Sequence, residues 1–266
     1  MSERHSSENA PSFRARLASG DFLVGTFIKT PTSHAIELLG QLRYDFVVID
    51  AEHAAFDRGA IDVAMLAAHA TDIPALVRVA GGTAPEIGTA LDCGAEGVLV
   101  PHVNSASRAA EVVRMCRFRP GRRGYSGAPR AGGYGSAPMQ QSVGRQDART
   151  TVIAMIEDPE ALDEIDAIVA VEGLDAVFVG RADLAVALGA PSAGAPAVLA
   201  AVERISGAAR AVGKPVCVMV GDAREAPTFQ ASGATAFIVS SDQGLMRKAA
   251  AAALAEMEAL RGAGRP

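Results

Sequence analysis

Eight short apolar runs, rich in β-branched residues, recur along the 266 residues and leave room between them for little except helices. They span 22–28 (FLVGTFI), 46–49 (FVVI), 75–79 (ALVRV), 97–100 (GVLV), 151–156 (TVIAMI), 176–179 (AVFV), 216–220 (VCVMV) and 236–239 (AFIV). Continuous rather than alternating apolarity marks a strand covered on both faces, as in a parallel sheet sheathed by helices. The intervening segments 33–43, 58–70, 85–93, 106–117, 159–171, 196–212, 224–232 and 244–261 are rich in Ala, Leu and Glu at helical spacing. Several of them close on a glycine just ahead of the next strand, the position of a left-handed helix C-cap. Eight β-then-α units close into a (β/α)8 TIM barrel, for which about 250 residues is an ordinary size. An open doubly wound sheet is the competing fold, but its Gly-rich dinucleotide fingerprint is missing after the first run, where GTFIKTP stands.

Composition narrows the class of partner. With 49% hydrophobic against 21% charged residues the chain can bury a sizeable core, which excludes wholesale disorder. Thirty acidic against 25 basic side chains, a formal charge of −5, argue against nucleic acid, whose phosphates call for a basic face. No tryptophan and 5% aromatics leave little from which to build a base-stacking platform. Cys93, Cys116 and Cys217 lie far apart with no Cys-x-x-Cys spacing, which suits reduced, buried residues rather than disulfides or a zinc site. No run approaches the roughly 20 apolar residues of a membrane span. The first twenty residues are polar and lack a secretory signal's apolar centre. These features predict a cytoplasmic protein with a small-molecule partner and no membrane association. A polar tail over 1–20 would precede one barrel domain over 21–266. The segment 118–149, with its glycines, prolines and arginines, breaks the rhythm and reads as a long loop of the kind that often carries function.

In such a barrel the chemistry belongs at the C-terminal ends of the strands. Those positions hold Asp50, Glu52 and His53 after the second run, Arg78 within the third, His102 after the fourth, Glu157 and Asp158 after the fifth, and Arg181 and Asp183 after the sixth. Glu157 and Asp183, from adjacent strands, can give hard oxygen ligands to one divalent ion, Mg²⁺ or Mn²⁺, with Co²⁺ also compatible. They can equally serve as an acidic helix opener and a helix cap. Arg78 interrupts an apolar run, and a buried guanidinium demands an anion, either a substrate or Asp50 or Glu52. Asp50, three residues before His53, can orient the imidazole for acid/base work. There is no Ser-His-Asp elbow, P-loop or His-Glu-x-x-His helix.

The strings YDFVVIDAEHAAFD, LVRV, LDCGAEGVLVPHVNSA, RGYSGAPRAGGYG, MIED, LDAVFVGRADLAVALG and GATAFIVSSD follow one another over nearly the whole chain. Together they resemble the HpcH/HpaI aldolase family, of the phosphoenolpyruvate/pyruvate-domain barrel type. The resemblance implies a class II pyruvate aldolase, usually a homohexamer, that cleaves a 4-hydroxy-2-oxo acid to pyruvate and an aldehyde with a divalent metal. It implies Glu157 and Asp183 as metal ligands, Arg78 at the keto and enolate oxygen with Ala182 and Asp183 beside the substrate, and His53 paired with Asp50 as the acid/base element.

Three positions depart from the family's pattern. Met155 stands where a Gln is common, Arg181-Ala182-Asp183 replaces Pro-x-Asp, and Thr26-Phe27 stands where a Trp is often found. These changes point to an unusual partner for the enolate, with Arg181 binding a second carboxylate. Among the arginines of 118–149, Arg123 is the expected substrate contact, near the rim or reaching a neighbouring subunit. Two other classes remain at this point: a citrate-lyase-β-like lyase acting on acyl-CoA, and a barrel kept as a non-catalytic module.

Overall fold

The computed structural model describes residues 11–263, and these form a closed barrel. Strands β1 (Leu23–Ile28), β2 (Phe46–Asp50), β3 (Ala75–Arg78), β4 (Gly97–Val100), β5 (Thr151–Ile156), β6 (Ala176–Val179), β7 (Val216–Val220) and β8 (Ala234–Ser241) pair in chain order, all parallel, and β8 closes on β1. Around them run α1 (Phe13–Ala18), α2 (Ser33–Gln41), α3 (Arg58–Ala70), α4 (Ala84–Asp92), α5 (Ala106–Cys116), α6 (Met139–Arg149), α7 (Ala161–Val169), α8 (Arg181–Ala187), α9 (Pro196–Ala211), α10 (Ala226–Ala231) and α11 (Asp242–Ala263).

The strands are apolar over most of their length because each lies between two cores. Phe27, Val48, Leu76, Leu99, Met155 and Phe178 belong to a cluster inside the barrel. Their chain neighbours Ile28, Val47, Ile49, Val77, Val98 and Val177 belong to a second cluster between strands and helices. Side chains that alternate sides along a strand make both faces greasy, the pattern expected of a doubly covered parallel sheet.

Three segments differ from the sequence expectation. Within the stretch 1–20, Phe13–Ala18 is helical, capped by Ser12, whose hydroxyl accepts the Ala15 N–H at 3.2 Å. Phe13 and Leu17 plug the barrel where the strands begin, with the Phe13 ring 5.1 Å from that of Phe46. The rest of that polar stretch, 1–10, lies outside the described residues.

The segment 118–149 is not one loop, since it contains a short 3-10 turn at Arg130–Gly132 and the eleven-residue α6. The buried residues of α6 are Ser142 and Gln146, so its inner face carries no apolar stripe for a periodicity argument to find.

The last helix is longer than its expected 244–261. Asp242 ties its start to the end of β1 by accepting the N–H groups of Lys29 (2.8 Å) and Thr30 (3.1 Å). From Met246 to Arg261 every residue is exposed. Among the described residues no helix is long and apolar enough to cross a membrane.

Candidate active site

The alternation that points Val48 and Leu76 inward carries Asp50 and Arg78 into the next layer, and the β2–β3 register pairs these two residues directly. Asp50 is completely buried. Arg78 grips it with both prongs, Nε to Oδ1 at 3.0 Å and a terminal nitrogen to Oδ2 at 2.6 Å. Its Nε also lies 3.3 Å from Glu52 Oε2, and its guanidinium sits over the Phe27 ring, 4.8 Å from the centroid. Lys29 adds a second cation, its Nζ 3.2 Å from Asp50 Oδ2. Burial works to raise the Asp50 carboxyl, but the Arg78 hydrogen bonds and the His53 N–H outweigh it and hold the group below the ordinary carboxylate range.

One inward step beyond Met155 stands Glu157, also buried. Its Oε1 accepts the backbone N–H of His102 at 2.9 Å, offered by a residue in the left-handed region at φ 54°. Burial, with the nearby charge of Asp183 adding to it, pushes the Glu157 carboxyl up to about 7. Gly180 makes room for it, since a Cβ there would stand 2.5 Å from the Cβ of Glu157. The His102 ring turns to Asp158, with Nδ1 3.1 Å from Oδ1. Burial disfavours its charge, yet the Asp158 bond and the charge of Glu157 raise the imidazole above its ordinary value.

A cavity of about 330 Å³ opens at this end of the barrel, lined among others by Phe27, Lys29, His53, Arg78, Met155, Phe178, Arg181, Ala182, Asp183 and Met219. It brings His53, Arg78, Arg181, Ala182 and Asp183 to one space. Asp50 and Glu157 stand just behind the wall, against Arg78 and Gly180. Among the described residues no group of three or more His, Cys, Asp or Glu is arranged to hold a metal ion. Two carboxylates, Glu157 and Asp183, are the candidate donors the sequence expectation names, Asp183 on the cavity wall and Glu157 behind Gly180. That donor set fits a hard cation such as Mg²⁺, which keeps water and substrate oxygens as its remaining ligands. The charge of Asp183 disfavours ionisation of Glu157, and a cation beside the two would offset that.

Three sequence expectations need correction. Asp50 does not orient the His53 ring: it accepts the His53 backbone N–H at 3.0 Å, because Arg78 already occupies the rest of the carboxylate. The ring is 57% exposed, with Nε2 3.8 Å from Glu52 Oε2. Arg181 is not a free cation, since it is bound to the Met219 carbonyl and to Glu225, each at 2.7 Å. Arg123 lies at the opposite end of the barrel, buried against Asp92 at 3.0 Å and over the Phe118 ring at 4.6 Å. Its Arg-rich segment folds beneath the strand starts, where Arg117 also bonds the Thr150 carbonyl and Asp175. Sequence reasoning passed over Lys29 as a partner of Asp50, although counting two residues on from inward-facing Phe27 finds it. Glu225 carries no such signal, because it comes from a distant loop.

Fold and site together define a (β/α)8 barrel whose candidate site lies at the C-terminal ends of its strands. The chain belongs to the family described as HpcH/HpaI aldolase/citrate lyase, whose pattern matches residues 23–249. It is 38% identical over 179 residues to the hydroxypyruvate/pyruvate aldolase of Roseobacter denitrificans, covering 66% of this chain and 69% of that one. It is 33% identical over 239 residues to the 5-keto-4-deoxy-D-glucarate aldolase of Klebsiella pneumoniae, covering 89% and 93%. The solved structure of citrate synthase SbnG superposes with a TM-score of 0.86 at 32% identity, covering 94% of this chain and 99% of that one. The curated relatives are thus aldolases, which are carbon–carbon lyases.

Proposed function

We propose that this protein is a divalent-metal-dependent class II aldolase that cleaves, or forms, a 4-hydroxy-2-oxo acid from pyruvate and an aldehyde. The observation that carries the reading is the meeting of Asp183, Arg78 and His53 in one cavity, with Glu157 buried beside it behind Gly180. Glu157 and Asp183 would hold the cation. When bound, a divalent ion there supplies Lewis-acid charge to the keto acid, with Mg²⁺, Mn²⁺ and Co²⁺ all suited to the oxygen donors.

Arg78 is pre-set by Asp50, so its remaining N–H donors are fixed before substrate arrives and meet the C2 oxygen as negative charge develops on it. In the cleavage direction the C4 hydroxyl proton passes to the His53 ring and the C3–C4 bond breaks. The aldehyde forms as that electron pair becomes the C2–C3 double bond of the enolate. A proton returned to C3 then gives pyruvate. The exposed ring of His53 suits this exchange, with Glu52 Oε2 3.8 Å from its Nε2. Ala182 lines the cavity beside Asp183 and would border the keto acid. Pyruvate release from a 4-hydroxy-2-oxo acid, followed with and without Mn²⁺, tests the reading.

The exposed α11, with Met246, Leu254, Met257 and Leu260 on its surface, suits packing against a second copy and hence a homo-oligomer such as a hexamer. Three buried free cysteines are compatible with the reducing cytoplasm.

A further inference from the structure

We infer that the aldehyde used by this enzyme carries no carboxylate of its own, and that the Arg181–Glu225 pair enforces this. The inference rests on the aldolase reading above and specifies its second substrate. Arg181 is the cavity cation that could receive a distal carboxylate, and it is already held on three sides. Its terminal nitrogen donates to the Met219 carbonyl and to Glu225 Oε2, each at 2.7 Å. Its guanidinium lies 4.3 Å from the centroid of the Phe229 ring. Glu225 is itself fixed, since its other oxygen accepts the Gly221 N–H at 3.2 Å. Both bonds leave from one terminal nitrogen and Nε has no partner, so a substrate carboxylate reaching Arg181 would not displace Glu225 but would meet a cation that Glu225 already neutralises and place a second negative charge beside it.

The charges around the cavity point the same way. Lys29 and Arg78 share Asp50, and Arg78 also faces Glu52. The cations Lys29, Arg78 and Arg181 meet the carboxylates of Asp50, Glu52, Glu157, Asp183 and Glu225. A divalent ion brings this group to parity, and the keto acid's carboxylate then makes it negative. A second carboxylate would enter an already negative site of low dielectric. What remains of the wall is apolar, with Phe27, Met155, Phe178, Met219 and Val220.

The test compares butanal with succinic semialdehyde, which match in chain length and differ in the terminal carboxylate, as acceptors for pyruvate with Mn²⁺-loaded enzyme. We expect kcat/KM to favour butanal by about tenfold or more, the scale on which an unpaired charge is rejected. Glu225→Gln, which frees Arg181 without removing it, should raise the semialdehyde value about tenfold and leave butanal and pyruvate deuterium exchange unchanged. Wild-type enzyme that uses the semialdehyde as well as butanal overturns the inference, as does an unchanged ratio in Glu225→Gln. If pyruvate exchanges its methyl protons while the semialdehyde is preferred, this inference alone fails. If pyruvate does not exchange at all, the aldolase reading fails with it.

Discussion

Asp50 and Arg78 face each other across β2 and β3 as a two-pronged ion pair, with bonds of 3.0 and 2.6 Å around a carboxylate that water does not reach. The pair fixes the arginine's direction before any substrate binds. Asp50→Ala strands a buried guanidinium, with only Glu52 left nearby, and should cost about 3 kcal/mol in denaturant unfolding. Replacing both partners, Asp50→Leu with Arg78→Met, should recover much of that stability while abolishing activity. A single Asp50→Ala as stable as wild type would show that the pair does not matter to the fold.

Glu157 gives the proposed metal site a definite pH dependence. Its carboxyl, ordinarily near 4.5, rises to about 7 in the folded chain. Between those values the metal-free fold holds a proton that the unfolded chain has lost. Its stability therefore declines as pH rises through that window and levels off above about 7. A cation competes with the same proton, so apparent Mn²⁺ affinity should weaken about tenfold per pH unit below neutrality. Calorimetric titration between about pH 5.5 and about 8 measures this, and a flat profile would remove Glu157 from the proposed ligand set.

Gly180 should be as intolerant as a catalytic residue although it has no side chain. A Cβ there meets both the Cβ and Oε2 of Glu157, at 2.5 and 2.7 Å. Gly180→Ala should lose about 1–3 kcal/mol from overpacking and weaken metal binding together. Thermal melts and Mn²⁺ titration on the same sample distinguish this from a purely structural defect, in which stability falls and metal affinity stays.

The α1 plug is predicted to matter despite its place near the chain start. Phe13 is buried against Phe46 inside the barrel, so Phe13→Ala should cost about 3–5 kcal/mol in chemical denaturation. A cost below about 1 kcal/mol would mean that the plug is dispensable.

The barrel was legible because period-two alternation between two apolar cores leaves continuous greasy runs, as in 46–49 (FVVI). The candidate site was legible where polar residues close the strands, as with Arg78 and Glu157. It was illegible where side chains choose partners across the rim. Nothing local distinguishes an Arg181 awaiting substrate from one clasped by Glu225, 44 residues away. Nothing local tells whether Asp50 meets its neighbour's ring or its backbone. Arg123 was misplaced because loop arginines carry no periodicity to fix their end of the barrel, and α6 hid because its buried face is Ser142 and Gln146.

The most direct test of the central claim is exchange of pyruvate methyl protons with deuterium, followed by proton NMR with Mg²⁺, Mn²⁺ or Co²⁺. It asks for enolisation alone and needs no aldehyde. Wild-type enzyme should catalyse exchange with at least one of these ions. Arg78→Ala should lose exchange while still binding metal, and Glu157→Ala should lose both. Absence of exchange with every ion, in protein shown to be folded, would contradict the account.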